Sequence, residues 1–284
     1  MHFWDHSFSS PEANLAFDEA VLEHMDARTD PNSGDPSGNS SGNSIANSIA
    51  NSIANSSCGE LLRIWQMPAP CVVIGRSSRV SQEVDQEACA RDGIAIFRRM
   101  SGGASIVAGP GCWMFSLLLS LEHRPECRAL DGAHRTVMSR MRNAVQGAFQ
   151  ELGSDCQVGI QGICDLTVGG RKVSGNALRL KRNWMMYHGT LLIDMPLEWI
   201  SRYLLEPPKQ PEYRQKRSHR DFVESLGKSL ADRAKFIELL SEQSRAQWQA
   251  NREWSEHPFA SLHLASVQSW IDRRYGDAAW HFQR

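Results

Sequence analysis

The sequence predicts an α+β fold, and three observations lead to this prediction. Strand-like and helix-like segments follow one another irregularly along the chain. A Gly-Gly pair at residues 169–170 separates two short alternating segments, which is the pattern of a β-hairpin. Residues 131–152 carry apolar side chains at helical spacing. A doubly wound parallel sheet is therefore disfavoured, because it alternates strands and helices regularly.

Composition limits the function classes. With 284 residues, 41% of them hydrophobic, the chain can bury one sizeable core. A net charge of −1 gives no general attraction for nucleic acid. Seven cysteines, without Cys-x-x-Cys spacing, indicate reduced thiols rather than a disulfide framework or a zinc site. The N-terminus lacks a signal-peptide pattern and no apolar stretch could span a membrane, so we expect a cytoplasmic protein.

The first part of the chain predicts one helix, one insertion and several strands. Residues 11–25 are predicted to form an amphipathic helix, with Ser10 as N-cap and Pro11 in the first turn. Residues 30–57 contain three tandem Asn-Ser-Ile-Ala units and are predicted to be a disordered low-complexity insertion. Further elements are expected as strands at 61–65, 71–76, 93–99 and 112–120, and as a helix at 81–92.

The second part is centred on the predicted hairpin. If Gly169 and Gly170 form a two-residue turn, Thr167 lies opposite Lys172. Alternation along the strands then places four polar side chains on one face: Asp165, Thr167, Lys172 and Ser174. This face is either an ordinary solvated surface or a group of functional side chains. The remaining predictions are helices at 131–152, 229–249 and 263–275 and a strand at 186–193.

A second segment also points to an anionic ligand. Residues 98–103 read Arg-Arg-Met-Ser-Gly-Gly, which joins positive charge to a turn where backbone N–H groups can approach a ligand. Alone, it is equally compatible with a polar strand end and a flexible turn. The P-loop and dinucleotide-binding glycine patterns are absent from the sequence. Together with Lys172, the segment predicts a pocket for an acid and a phosphate.

Taken in order, these segments resemble the catalytic domain shared by lipoate–protein ligases, octanoyl/lipoyl transferases and biotin ligases. The matching stretches are residues 14–19 (Asn-Leu-Ala-Phe-Asp-Glu), 75–76 (Gly-Arg), 98–103, 165–177 (Asp-Leu, then Gly-Arg-Lys-Val-Ser-Gly-Asn-Ala) and 188–192 (His-Gly-Thr-Leu-Leu). The Gly-Arg-Gly-Arg type loop expected of a biotin ligase is absent from the sequence, so the lipoate ligase branch is the nearest. The resemblance implies a mixed, largely antiparallel central sheet flanked by helices. It also implies one catalytic domain over residues 1–284, without the C-terminal accessory domain of the larger ligases.

The resemblance implies a two-step reaction. Lipoate or octanoate reacts with ATP to give an acyl-adenylate, and the acyl group then passes to a lysine of a lipoyl carrier domain. Lys172 would be the catalytic residue, and Asp165 would hold Mg²⁺. Substrate and nucleotide contacts are implied at Arg76, Arg98, Arg99, Ser101, Gly102, Gly103, Asp165, Ser174, Gly175, Ala177, His188, Gly189 and Thr190. A separate accessory protein is a further possible partner, because some relatives need one.

Two departures from the family pattern leave an alternative open. Residues 104–111 replace the usual Gly-Ala-Val-aromatic-His-Asp, and Cys164 stands where the ligases carry Asn. The runner-up is an ATP-independent octanoyl/lipoyl transferase, in which Cys156 or Cys164 forms a thioester and Lys172 activates it. A non-catalytic carrier-binding protein is the third reading.

A basic stretch follows two prolines at 207–208. It contains Lys209, Arg214, Lys216, Arg217, His219 and Arg220. Such runs are usually solvated, but this one could also dock an acidic carrier domain.

Overall fold

A computed structural model describes residues 1–28, 59–207 and 210–283. The insertion predicted at residues 30–57 lies outside the described residues, as does Lys209. Within the described parts, strands and helices are mixed around a central sheet, which confirms the α+β prediction.

The strands fall into one large sheet and two small ones. They are β1 (His2–Asp5), β2 (Leu61–Trp65), β3 (Cys71–Ile74), β4 (Ala95–Arg98), β5 (Ile106–Ala108), β6 (Cys112–Ser120), β7 (Val158–Gln161), β8 (Asp165–Val168), β9 (Arg171–Lys172), β10 (Ser174–Leu180), β11 (Trp184–Leu192) and β12 (Arg252–Glu253). The central sheet has six strands in the order β10-β11-β6-β2-β1-β12. The pairings from β10 to β2 are antiparallel and the last two are parallel, so the sheet is mixed and largely antiparallel.

Two three-stranded sheets lie beside the central one. In the first, β3 pairs in parallel with β4 and antiparallel with β5. In the second, β8 lies between β7 and β9, and all its pairings are antiparallel. The chain passes from β9 directly into β10, so the second small sheet is connected to the edge of the central sheet.

Helices cover both faces of the central sheet. They are α1 (Pro11–Arg28), α2 (Val80–Glu83), α3 (Gln86–Asp92), α4 (Leu130–Glu151), α5 (Glu198–Tyr203), α6 (His219–Phe222), α7 (Arg233–Trp248), α8 (Ala260–Trp270) and α9 (Ala278–Phe282). Strand β6 is buried along its whole length. Its residues Met114 and Leu118 pack in the core that contains α1, whereas Phe115 and Leu117 pack in the core that contains α4 and α7.

Helix α1 is more deeply buried than an amphipathic pattern predicts. The Ser10 hydroxyl accepts a hydrogen bond from the N–H of Ala13 at 3.2 Å, which confirms the predicted N-cap. However, the polar residues Asn14 and Asp18 are also buried. Arg63 on β2 donates to the Asp18 carboxylate at 2.8 Å and to the Asn14 side chain at 2.5 Å. The amphipathic interpretation was wrong because the neighbouring strand supplies polar partners inside the core.

Other elements differ from prediction for local reasons. The predicted helix at 81–92 is divided into α2 and α3, because the Asp85 carboxylate caps the N–H of Ala88 at 2.9 Å and starts a new helix. Strands β1, β5, β7 and β12 were not predicted; they have two to four residues each and no clear apolar alternation. Among the described residues, no helix is both long and apolar enough to cross a bilayer.

The hairpin prediction is confirmed at its turn. Gly169 and Gly170 have φ values of 57° and 75°, which a two-residue primed turn requires. Thr167 pairs with Lys172, as predicted. The hairpin register also predicts Ser174 opposite Asp165, and this is wrong, because Ser174 already belongs to β10 and pairs with Leu191 on β11.

Candidate active site

Two adjoining cavities meet beside the hairpin. The inner cavity lies against the central sheet, and its apolar wall consists of Leu15, Trp65, Val73 and Met114. The outer cavity lies between β5 and the chain around α5 and α6, and its apolar wall includes Val107, Leu192, Ile200, Leu204, Phe222 and Val223. The inner cavity has a volume of about 110 Å³ and the outer one of about 150 Å³. Residues common to both walls are Ala104, Ser105, Ile106, Lys172, Gly175 and Thr190.

Lys172 stands where the cavities meet, and its backbone and side chain are both held. Its Nζ lies 2.8 Å from Oδ1 of Asp165 on the adjacent strand β8. Its carbonyl accepts a hydrogen bond from the N–H of Glu224 at 2.8 Å. The Lys172 side chain is 26% exposed, so its ammonium is partly desolvated and accessible from the cavities. The predicted group on one hairpin face therefore places a cation at the junction of two binding spaces.

Asp165 uses both carboxylate oxygens within the protein. Oδ1 bonds Lys172, and Oδ2 accepts a hydrogen bond from the Tyr213 hydroxyl at 2.6 Å. Among the described residues, no group of three or more His, Cys, Asp or Glu side chains could hold a metal ion. The Mg²⁺ predicted at Asp165 stays a prediction; Mg²⁺ commonly takes one carboxylate together with water and phosphate oxygens, and both oxygens of Asp165 already have partners in the protein. The position of Asp165 suits it to hold the Lys172 ammonium in place.

Arg99 connects the Ser-Gly-Gly loop to β11 and lines the inner cavity. Its Nε donates to the Ser101 hydroxyl at 3.1 Å, and that hydroxyl lies 2.6 Å from Nε2 of His188. Other guanidinium N–H groups donate to backbone carbonyls of Val73, Gly102 and Ala104. Four of the five N–H groups are thus used among the described residues, and one remains for a ligand.

The pKa values in this network fix its charges. Burial lowers the pKa of Arg99 to about 10, so the guanidinium stays charged at neutral pH. Burial and the charge of Arg99 lower the pKa of His188 to about 3, so the imidazole is neutral. A neutral, hydrogen-bonded His188 fits a structural role in the cavity wall better than that of a catalytic base.

Arg98 has different surroundings from Arg99. It is fully buried, and its guanidinium donates to carbonyls of the turn after β3 and of the C-terminal helix α9. The acceptors are the carbonyl groups of Gly75, Arg76, Ser78, Trp280, His281 and Gln283. Arg98 lines neither cavity, so its position indicates a structural role rather than the predicted ligand contact.

The glycines predicted to bind ligand allow a close backbone approach. A Cβ on Gly75 would lie 2.0 Å from the carbonyl oxygen of Gly103, so only glycine lets the two segments meet. Gly103 has φ +86°, which also favours glycine, and both Gly102 and Gly103 are exposed. Arg76 has an exposed side chain that forms no ion pair with the described residues and lines neither cavity.

Strands β10 and β11 line the inner cavity with residues 175–177 and 188–190. Ala177 and His188 face each other across the two strands and line the inner cavity, together with Gly189. Gly175 and Thr190 form the next pair and line both cavities. These five predicted positions are therefore brought together.

Ser174 contributes to the walls in a different way. Its hydroxyl accepts hydrogen bonds from the N–H of Leu166 at 2.8 Å and from the Asn176 amide at 2.9 Å. Ser174 lines the outer cavity, but its oxygen is used to hold the hairpin against β10.

Of the two candidate nucleophiles, Cys164 is next to the inner cavity wall, since its carbonyl accepts a hydrogen bond from the Asn176 amide at 2.5 Å. Neither Cys156 nor Cys164 lines either cavity. Burial raises the pKa of Cys156, and burial together with the charge of Asp165 raises the pKa of Cys164 to about 11. Both thiols are therefore protonated at neutral pH, which is unfavourable for a nucleophile.

Several cavity residues were not predicted from the sequence. Trp65 closes one side of the inner cavity, and its Nε1 donates to the Ser116 hydroxyl at 2.9 Å. Glu83 accepts from both the N–H and the hydroxyl of Ser105 at 2.8 Å and so anchors the chain between the cavities. The only sequence signal for this region was that residues 104–111 differ from the family pattern. Nothing in that difference predicts that Ser105 would bond Glu83.

The basic stretch is mostly involved in folding. Arg214 is buried and pairs with Glu206 at 2.6 Å. Arg217 lies over the Phe222 ring and donates to the Tyr213 carbonyl at 2.9 Å. A docking role for the remaining charges stays a prediction.

Comparison with known proteins identifies the family. The family model described as the lipoyl protein ligase A/B catalytic domain matches residues 10–245. The lipoate-protein ligase LplJ of Bacillus subtilis is 24% identical over 217 residues, which cover 76% of this chain and 62% of LplJ. The octanoyltransferase LipM of Geobacillus kaustophilus is 21% identical over 306 residues, which cover 99% of this chain and 98% of LipM. This chain therefore spans less than two thirds of LplJ but nearly all of LipM.

Solved structures show the same fold. The bi-partite lipoate protein ligase of Thermoplasma acidophilum superposes with a TM-score of 0.69 at 18% identity, covering 99% of this chain and 95% of that one. A lipoate-protein ligase A bound with ATP gives a TM-score of 0.67 at 18% identity, with 99% and 98% coverage. Since the family model extends over most of the sequence, the chain belongs to the lipoyl protein ligase A/B catalytic domain family.

Proposed function

We propose that this protein is an ATP-dependent lipoate–protein ligase. The observation that carries the proposal is the position of Lys172, whose ammonium is held by Asp165 at the junction of two cavities. A reaction that joins two small molecules needs such a shared point of positive charge. A lipoate ligase of this fold has been solved with lipoic acid and another with ATP, which supports two small-molecule substrates here.

The inner cavity suits the acyl chain. Its wall of Leu15, Trp65, Val73 and Met114 is apolar and lies against the central sheet. The carboxylate of lipoate or octanoate would then reach Lys172 and Arg99, which lines the same space. The outer cavity, on the other side of Ser105 and Ile106, would receive the nucleotide.

The proposed chemistry has two steps. First, an acyl carboxylate oxygen attacks the α-phosphorus of ATP, the bond to the β-phosphate breaks and pyrophosphate leaves. Lys172 stabilises the negative charge that develops on the α-phosphate. In the second step, a carrier lysine amine attacks the acyl carbon and forms an amide. AMP leaves with the bonding pair, and the amine proton passes to solvent.

The transferase alternative rests on the full-length match to LipM. It requires a reactive thiolate, whereas the pKa values of Cys156 and Cys164 are raised and neither thiol lines a cavity. We therefore expect Cys156→Ser and Cys164→Ser to retain ATP-dependent lipoylation. Loss of activity in either variant, with an acyl thioester detected by mass spectrometry, would favour the transferase.

The first test is lipoate-dependent exchange of pyrophosphate into ATP. Wild-type protein should catalyse exchange, and Lys172→Ala should lose about 100-fold or more of it, because a charge at the reacting phosphate is removed. Lys181→Ala is the matched control, since Lys181 forms an ion pair with Glu23 at the same N–O distance of 2.8 Å but lines neither cavity. Absence of exchange in the wild type, with octanoyl transfer that needs no ATP, would refute the proposal.

A further inference from the structure

We propose that Tyr213 is a positioning residue that acts on Lys172 through Asp165; this inference rests on the function proposed above. The Tyr213 hydroxyl donates to one oxygen of the Asp165 carboxylate at 2.6 Å, and the other oxygen lies 2.8 Å from Nζ of Lys172. Hydroxyl, carboxylate and ammonium thus form a continuous chain. Tyr213 is 48 residues from Asp165 in sequence and reaches it through the tertiary fold.

The hydrogen bond from Tyr213 to Asp165 restricts the movement of the carboxylate and therefore of Lys172. The lysine side chain has four flexible methylene groups, so a single ion pair leaves the ammonium free to move. A carboxylate bonded only through one oxygen can also rotate about its last torsion. The short Tyr213 bond, at a distance typical of a charge-assisted O–H···O⁻ contact, fixes the plane of Asp165. The ammonium of Lys172 is then held at the junction of the cavities.

Tyr213 remains a donor at any pH that the protein experiences. Burial, and the charge of Asp165 with its hydrogen bond, raise the pKa of the phenol above its ordinary value. The hydroxyl therefore keeps its proton and stays able to donate to Asp165. This constancy suits a positioning group and not an acid or base of the reaction.

The Tyr213 ring is itself fixed by packing. It lies with its centroid 5.2 Å from that of Phe222, a residue of the outer cavity wall. A Cβ on Gly162 would come within 3.0 Å of its Cε1, so glycine at that position makes room for the ring. The neighbouring Pro211 and Arg214 also line the outer cavity. The wall that would enclose the nucleotide thus also carries the group that orients the lysine.

The test removes the hydroxyl and keeps the ring. Tyr213→Phe should lower kcat for lipoate-dependent pyrophosphate exchange by roughly 10- to 100-fold, with both KM values changed by less than about threefold. Tyr203→Phe is the matched control, because the Tyr203 hydroxyl also bonds a carboxylate, that of Asp92, but lines neither cavity. It should retain wild-type kcat. Melting temperatures of both variants show whether the fold is intact.

A double-mutant cycle separates positioning from simple packing. If Tyr213 acts through Asp165, adding Tyr213→Phe to Asp165→Ala should change kcat by less than about twofold. Equal losses in both backgrounds, or wild-type kcat in Tyr213→Phe, would overturn the inference while exchange by the wild type still upheld the proposed function. Wild-type protein without exchange would overturn both.

Discussion

Arg98 and Arg99 are adjacent in sequence and have different partners. Arg98 is fully buried and donates to backbone carbonyls of two separate segments, whereas Arg99 lines the inner cavity and keeps one N–H free of described partners. Arg98 is the last residue of β4 and Arg99 follows it, so two identical neighbouring side chains have separate surroundings, one in the core and one at the cavity.

The role of Arg98 can be tested by unfolding. We expect Arg98→Ala to lower the free energy of unfolding by about 3 kcal/mol or more, because several buried carbonyls lose their donor. Arg76→Ala removes an exposed arginine nearby and should change stability by less than about 0.5 kcal/mol. Guanidinium denaturation of the two variants provides the measurement. Equal stabilities would show that the Arg98 contacts contribute nothing.

The sequence could not have distinguished these two arginines. The Arg-Arg-x-Ser-Gly-Gly pattern predicted a cationic segment beside a glycine turn, and this is what the structure contains. Which arginine faces the cavity depends on where the C-terminal helix packs, since its carbonyls take the Arg98 donors. The contact between Tyr213 and Asp165 could not be predicted from the sequence either, because the two residues are 48 positions apart and meet only in the tertiary structure.

At the scale of elements, turns and long apolar strands were predicted correctly from local sequence. Short strands were not, because the sequence does not show which strand they pair with. The Gly169-Gly170 turn was predictable because both residues need positive φ and the flanking residues alternate. Strands β5 and β7 were missed because they have three and four residues; β5 also pairs with β3, more than thirty residues earlier, whereas β7 pairs with the adjacent β8. The central strand β6 was predicted with its correct bounds, since its nine residues are buried on both faces and read as one apolar run.

Gly75 lies where the chain after β3 meets the Ser-Gly-Gly loop, and replacing it should affect both stability and binding. Gly75→Ala should destabilise the protein by roughly 1–3 kcal/mol, because its Cβ would lie 2.0 Å from the Gly103 carbonyl oxygen. Displacement of the loop should also weaken lipoate binding, which isothermal titration calorimetry can measure. Ser77→Ala, an exposed position in the same turn, is the control and should leave both properties unchanged. Normal stability and affinity in Gly75→Ala would mean that the loop adapts freely.

At the scale of the whole molecule, buried histidines couple stability to pH. Burial lowers the pKa values of His188, His257 and His263 to about 3, whereas an unfolded histidine titrates near 6.5. Between these values the unfolded chain binds more protons than the folded one. The contribution of these histidines to the free energy of unfolding should therefore be constant above pH 6.5 and should fall as the pH drops towards 3.

The expected slope is roughly 1.4 kcal/mol per pH unit for each such histidine. Urea denaturation at pH 7.5, 6.5 and 5.5 would show it, and His257→Phe should make the dependence shallower. His123→Gln replaces an exposed histidine and should leave the slope unchanged. Stability that rises as the pH falls from 6.5 to 5.5 would contradict the prediction.

The partition between the two cavities has a consequence for altering substrate scope. Since Ser105, Ile106 and Lys172 belong to both walls, a substitution at any of them perturbs two binding equilibria at once. Trimming Ile106 to admit a bulkier acyl group would also enlarge the outer cavity, which we propose for the nucleotide. Val73 and Met114 border the inner space alone. A mutant library intended to accept unnatural acids should therefore vary Val73 and Met114. Substitutions there are expected to change the selectivity for the acid and to leave the affinity for the proposed nucleotide unchanged.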